Sequence, residues 1–291
     1  MEILEQISVQ NWTGPFSEPV TRQAVSALEK GRILLTPDLR FDLLPTEGKF
    51  LSPKYLGAKS KNISFNPGTK ALGGTDCEGA ERDELAAMLR RFSEQAFSLV
   101  RALCPEYTQQ AAPGLTSFRP AEISGRVTSW RKDDTRLHFD AFPSRPSHGK
   151  RIMRLFANAN PTASRVWRAG EPFRDAAKML LPRVSAPLPG SLSLMAALHI
   201  TKGRRTLYDH YMLGLHDAMK ADNQYQAEAP QARIEFPPGA VWACFTDSVS
   251  HAAMSGQHAF EQTFYLPVNA MATAALSPLR VLEGLLGRPL V

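Results

Sequence analysis

The sequence predicts an α+β chain whose core is a double-stranded β-helix, a cupin-like jelly roll, with N-terminal and inserted helices packed on it. Three observations predict it. From residue 126 onward the chain breaks into short β-like runs separated by Pro, Gly and Asn, as sandwiches and barrels do. Helical periodicity dominates the part before residue 126. Two further helical stretches interrupt the β-like runs, an order that suits helices laid on a double-sheet roll.

The elements follow in chain order. Ser17-Glu18-Pro19-Val20 opens a helix with a cap and an early proline. Its apolar residues fall at Val20, Ala24, Val25 and Leu28, and Gly31 ends it. Ile33–Leu35 reads as a short buried strand, and 45–79 as a loop within one domain. Arg82–Leu103 is the strongest helix, with Leu85, Leu89, Phe92, Ala96 and Leu99 in one stripe. The expected strands are Arg126–Trp130, Arg151–Asn158, Arg165–Trp167, Arg233–Phe236, Ala240–Phe245 and Phe260–Leu266. The interrupting helices are Pro172–Leu181 and Tyr208–Lys220, and an apolar helix, Pro278–Leu286, closes the chain. We read residues 1–291 as a single domain: an elaboration over 1–125, the roll over 126–270 and a terminal helix over 271–291.

Composition narrows the function classes. Hydrophobic residues make up 43% and charged residues 21% of 291, ordinary for a globular protein. No apolar run reaches the roughly 18–20 residues of a membrane-spanning helix. The N-terminus lacks the basic start and apolar core of a secretory signal, and Cys77, Cys104 and Cys244 form no CxxC pair. A cytoplasmic chain with reduced thiols is expected. The net charge of +6 calls for an anionic partner: nucleic acid, anionic glycolipid or acidic small molecule. Nucleic acid is disfavoured, because no run of stacking aromatics interleaves the arginines.

Leu137-His138-Phe139-Asp140 sets an imidazole and a carboxylate two residues apart, on one face if the segment is extended. With a distant second histidine this makes the facial triad of mononuclear non-haem Fe(II) sites, with open positions for a co-substrate and O₂. His251 is the expected third ligand. It follows Gly239 and the apolar run Ala240–Phe245, whereas its rival His258 falls beyond Gly256. His210 and His216 are six residues apart and do not share a helix face as an i, i+4 metal pair would.

Several long blocks carry a family resemblance. HFDAFPSRP (138–146), LFANANP (155–161), RVWRAGEPF (165–173), YDHYMLGLHDAMK (208–220) and FTDSVSHAAMSGQ (245–257) resemble the Kdo hydroxylases, Fe(II)- and 2-oxoglutarate-dependent enzymes of the lipopolysaccharide inner core. The resemblance covers most of 126–267. It implies Fe(II), 2-oxoglutarate and O₂ as cofactor and co-substrates. It also implies hydroxylation of Kdo at the ring carbon next to the anomeric carbon, giving Ko on a Kdo-lipid A substrate. An enzyme acting there works at the cytoplasmic face of the inner membrane. The terminal helix then either docks on that membrane or packs on the roll.

One departure shapes the remaining assignments. Many relatives hold the far carboxylate of 2-oxoglutarate with an Arg or Lys about ten residues after the distal histidine. Here Ala252–Leu266 contains neither, and Glu261 would repel a carboxylate if it faced inward. Arg154 is the candidate in its place, because a guanidinium grips a carboxylate bidentately. Asn158 and Gln262 are assigned supporting hydrogen bonds, and Trp130 a wall of the pocket. Arg136, Arg145, Arg151, Arg165, Arg168 and His210 are candidate contacts to an anionic substrate. Two other readings stand beside this one. One is the same chemistry on another anionic sugar or lipid. The other is a non-catalytic cupin-like metal-binding or nucleic-acid-binding module.

Overall fold

The computed structural model describes residues 2–125, 128–188, 190–199 and 203–291. The chain opens with β1 (Leu4–Gln6), α1 (Glu18–Glu29), β2 (Ile33–Thr36), β3 (Ile63–Phe65), β4 (Leu72–Gly73) and α2 (Gly79–Leu103). It continues through β5 (Ala112–Arg119), β6 (Arg151–Asn158), β7 (Arg165–Pro172), α3 (Phe173–Leu180), α4 (Ser191–Ala197), α5 (Leu207–Ala221) and α6 (Asn223–Glu228). Last come β8 (Gln231–Phe236), β9 (Val241–Phe245), β10 (Val249–Ser255), β11 (Ala259–Leu266) and α7 (Pro278–Leu286).

The strands form an eight-stranded sheet, β1-β2-β9-β6-β11-β5-β3-β4, and a three-stranded sheet, β10-β7-β8. The extended segment 137–140 joins the smaller sheet through reciprocal backbone bonds between His138 and His251, 3.1 and 3.0 Å. Four strands, 137–140, β10, β7 and β8, thereby oppose β5, β11, β6 and β9 of the large sheet. These eight strands make the jelly roll. Its first strand is β5, which lies before the expected start of the roll. Of the expected strand at 126–130, Arg126 and Val127 lie outside the described residues, and Trp130 opens a 3₁₀ turn through Lys132 instead. Within the expected loop 45–79, β3 and β4 extend the large sheet beyond β5.

Period-two alternation sorts each strand between two cores. On β6, Met153, Leu155 and Ala157 point outward, toward the helices, while Phe156 points between the sheets. The outer face is covered by α1 and α2. Phe92 of α2 lies 5.0 Å from the Phe260 ring of β11, which stacks at 4.6 Å on Phe118 of β5. Burying an apolar side chain of this size is worth about 1.5–3 kcal/mol. The helical stripe on α2 is therefore what holds it against the sheet. Between the sheets, Trp242 stacks on Phe236 at 3.9 Å and on Phe156 at 5.2 Å, with Trp167 edge-on at 5.7 Å. This aromatic plug closes one end of the roll and leaves the other end open. On α7 the residues Pro278, Leu279, Val281 and Leu282 are buried, so the apolar face of the terminal helix packs inward. No helix is long and apolar enough to cross a membrane among the described residues.

Candidate metal centre

His138, Asp140 and His251 converge at the open end of the roll. One ligand atom from each lies within 4.8 Å of the others, and all three residues are buried. The local sequence explains the convergence. Leu137 and Phe139 are fully buried in the core, so alternation turns His138 and Asp140 the other way. His251 enters from β10, opposite His138 in the backbone pairing.

Each imidazole is oriented from behind. His138 Nδ1 lies 2.8 Å from the Arg136 carbonyl, and His251 Nδ1 lies 2.9 Å from the Val249 carbonyl. A carbonyl only accepts, so both Nδ1 atoms carry the proton and both Nε2 lone pairs face the site. Burial pushes both imidazoles below their usual range, and the facing His251 ring pushes His138 further. They stand neutral, the form that ligates a metal. Trp167 stacks on His251 at 5.1 Å and holds its ring plane.

Asp140 completes the set. Burial, the largest single influence, favours its neutral acid, but Arg154 together with His251, His216 and a hydrogen bond from Thr246 holds the carboxyl below its usual range. Arg154 Nη2 sits 3.0 Å from Asp140 Oδ2, yet that buried oxygen has no hydrogen-bond donor. The contact is a charge pair without hydrogen-bond alignment, which leaves an orphaned carboxylate oxygen beside two free imidazole lone pairs. Two neutral nitrogens and one anionic oxygen fit a divalent non-haem iron.

A cavity of about 620 Å³ opens from this triad, lined by seven Lys and Arg side chains against four carboxylates. Charge runs along its wall as a chain: Asp140, Arg154, Glu261, Arg119. Arg154 Nη1 is 3.0 Å from Glu261 Oε1, and Arg119 Nη2 is 3.1 Å from Glu261 Oε2. Glu261 does face inward, but it is clamped between two guanidiniums and does not confront a ligand as an unpaired anion. Arg154 reaches the cavity, but two carboxylates already engage it.

Arg165 differs from both. It is 4% exposed and lines the same cavity. Among the described residues its guanidinium makes a single hydrogen bond, from Nη1 to the Gly256 carbonyl at 3.2 Å, and its buried Nε meets no partner. No carboxylate lies within ion-pair distance of it among the described residues. Burial, with Arg119 nearby, pushes its pKa down to about 9. Gly256, at φ +110, makes the fit possible. A Cβ there would come 3.0 Å from the Arg165 Cα.

The other expected contacts fall elsewhere. Asn158 is buried away from the cavity, its amide donating to the carbonyls of Ala163, Phe236 and Pro237. Gln262 faces the helix side, accepting from Thr116 Oγ1 at 2.6 Å and donating to the Thr263 carbonyl. Trp130 carries the Arg131 guanidinium 4.1 Å above its ring and lies outside the cavity lining. Arg136 donates to the Lys220 carbonyl and to Asn223, and Arg168 to the carbonyls of Thr135 and Gln226. Arg151 is fully buried, paired with Asp247 at 2.8 Å and lying over the Phe245 ring. It is structural, because removing it would leave a buried, unpaired carboxylate. His210 meets the Ser185 carbonyl at 2.8 Å, and Arg145 lines a separate surface cavity with His148 and Lys150.

The residues not foreseen are Arg119, Lys61, Asp134 and Lys220, all lining the cavity, which His216, expected in a structural or substrate-contact role, lines as well. Their positions in sequence carry no common spacing. Only His216 and Lys220, at i and i+4 on α5, show a pattern that marks one helix face.

The comparisons with known proteins bear on the same site. A family model described as 3-deoxy-D-manno-oct-2-ulosonic acid (Kdo) hydroxylase matches residues 11–289. Among solved structures, the chain is similar to the Kdo hydroxylase KdoO, a non-heme Fe(II) alphaketoglutarate dependent dioxygenase, in complex with alphaketoglutarate and Fe(III). Identity is 45%, with 99% of this chain and 97% of that chain covered and a TM-score of 0.96. The cobalt(II) complex gives 45% identity, the same coverage and a TM-score of 0.97. The succinate and Fe(III) complex gives 44%, the same coverage and 0.96. No curated protein sequence matches the chain.

Proposed function

The chain belongs to the Kdo hydroxylase family, and from that premise we propose that it hydroxylates Kdo at the ring carbon next to the anomeric carbon, giving Ko on a Kdo-lipid A glycolipid. It is an Fe(II)- and 2-oxoglutarate-dependent dioxygenase. The observation that carries the proposal is a two-histidine, one-carboxylate cluster opening into a cationic cavity. His138, Asp140 and His251 are the iron ligands. When bound, iron, 2-oxoglutarate and O₂ supply the oxidising power, with succinate and CO₂ as the co-products.

The protein's own part is to bind, orient and exclude. The carbonyls of Arg136 and Val249 fix the imidazole tautomers. Arg154 holds Asp140 ionised and, through Glu261, is itself held in place. Arg165 takes the far carboxylate of 2-oxoglutarate, the role that strand alternation and guanidinium chemistry assign to Arg154 in the sequence. A buried guanidinium without a counter-ion is the feature a dianionic co-substrate satisfies. Phe156 and Trp167 wall the cavity and keep water from the reacting carbon. Lys61 and Lys132 line the cavity and face the carboxylate of Kdo and the phosphates of the lipid, while the buried Lys220 donates to the Arg131 carbonyl.

The test is anaerobic purification, loading with Fe(II), and measurement of succinate with and without Kdo-lipid A. Kdo-stimulated succinate together with a product heavier by one oxygen supports the reading. Succinate formed without coupling to Kdo, but coupled to another acidic sugar, overturns the substrate and leaves the dioxygenase.

A further inference from the structure

Seven large hydrophobic side chains are exposed among the described residues, and four of them fall within 179–198. Scattered surface leucines need no explanation, but a cluster does. Leu188 is 78% exposed, Leu194 58% and Leu198 61%, with Met179 of α3 at 46%. Leu188 precedes the short helix α4, Leu194 lies in it and Leu198 follows it, and among the described residues the hydrogen bonds of these three leucines run only within 188–198.

The segment is tied down at both ends. On one side Val184 packs on Gly214 of α5, where a Cβ would stand 2.3 Å from the valine Cγ1. Arg183 pairs with Asp222. On the other side His148 meets the Arg204 carbonyl at 2.9 Å, and Arg205 donates to the carbonyl of Pro143. Pro143 lines the cavity that leads to the metal cluster. The described residues that flank the exposed leucines in sequence are thus fixed on α5 on one side and at the rim of the site on the other.

Charge selects the occupant. From residue 176 to residue 208 the sequence contains no Asp or Glu, while Lys178, Arg183, Lys202, Arg204 and Arg205 fall within it. A second copy of the chain would bring like charges together. Three leucines and a methionine also fall well short of the roughly 1,000 Å² a stable protein interface buries. Arg183 is neutralised by Asp222, but apolar side chains followed in sequence by Lys202, Arg204 and Arg205, with no carboxylate between 176 and 208, suit the headgroup boundary of an anionic bilayer.

We propose that the exposed Leu188, Leu194 and Leu198, with Arg204 and Arg205, dock on an anionic lipid bilayer and set the cavity mouth at headgroup level. This rests on the reading that the substrate is a membrane glycolipid. It moves the membrane contact from the terminal helix α7, whose apolar face is buried, to α4 and its flanks.

The experiment is co-sedimentation of the iron-loaded enzyme with vesicles of phosphatidylcholine alone or mixed with phosphatidylglycerol. It compares wild type, the triple variant Leu188→Ser/Leu194→Ser/Leu198→Ser, and Arg204→Gln. Wild type is expected to bind the mixed vesicles, less so as salt rises. The triple variant should lose roughly tenfold or more of that partitioning. Its turnover of vesicle-embedded glycolipid should fall in parallel, with its turnover of a deacylated, water-soluble Kdo oligosaccharide unchanged. Arg204→Gln should weaken binding and its salt dependence. Equal vesicle binding by wild type and triple variant overturns the proposal, as does absence of wild-type binding. So does a wild-type dimer, seen by light scattering, that the triple variant dissolves. Vesicle binding requires no turnover, so binding without Kdo hydroxylation would overturn the substrate assignment alone.

Discussion

At the scale of single residues, three arginines of one cavity have different work because their partners differ. Arg154 and Arg119 share Glu261, and Arg154 also faces Asp140. Arg165 has a carbonyl and nothing anionic. Arg165→Gln is expected to raise the KM for 2-oxoglutarate about 10- to 100-fold, the loss typical of a charge-assisted carboxylate contact. Metal affinity, read separately by titration with Co(II), should hold. A KM within twofold of wild type would return the role to Arg154. Sequence could not make this distinction. Period-two alternation places Arg154 on the inward face correctly, but the face is shared with Glu261, which lies on another strand 107 positions later. The pairing exists only once β6 and β11 are adjacent.

At the scale of elements, turns decide which strand ends meet at the site. Glu122 accepts backbone hydrogen bonds from Ile123, Ser124 and Gly256. It thus pins the β10–β11 turn, where Gly256 lies against Arg165. Burial tends to raise its pKa, but these amide donors outweigh burial and hold it below the usual range. A carboxyl depressed in the folded state stabilises the fold above the unfolded-state pKa, and that stability is lost as the pH falls through the folded-state value. Glu122→Gln should therefore cost about 1–2 kcal/mol near neutral pH. In urea unfolding the gap to wild type should close as the pH drops below the glutamate range; a gap independent of pH would mean the ionised form is not what matters. Much of the element order was legible: the helical stripe of 82–103, the buried run of 151–158, and the apolar strand before His251. The strand β5 was missed because Pro113, Gly114 and Ser117 interrupt its pattern. Pairing with β3 on one side and β11 on the other makes it a strand, which no local signal announces. The 137–140 segment likewise takes part in the roll through a single bridge to β10.

For the whole molecule, the two sheets of the roll are joined at the open end chiefly by charge and by ligand-ready side chains. The opposite end is sealed by the Trp242–Phe236–Phe156 stack. His138 and Asp140 come from one edge of the small sheet, His251 from the strand beside it, and Arg154 and Glu261 from the large sheet. Groups that bind the native cavity and not the unfolded chain must therefore stabilise the whole fold. At a free metal concentration about 100 times its Kd, this linkage is worth about 2.7 kcal/mol, or a Tm rise of about 5 °C. Co(II) should produce this rise in wild type and not in Asp140→Ala. 2-Oxoglutarate should add a second rise only after the metal, and Arg165→Gln should abolish that second rise while keeping the first. Acidification should erode the metal-linked rise, because the metal takes the neutral imidazoles for which protons compete. Burial already holds His138 and His251 below the usual histidine range, so the erosion should begin below that range. A rise with 2-oxoglutarate that needs no metal would show that the co-substrate is held by the cationic wall alone, independently of the triad.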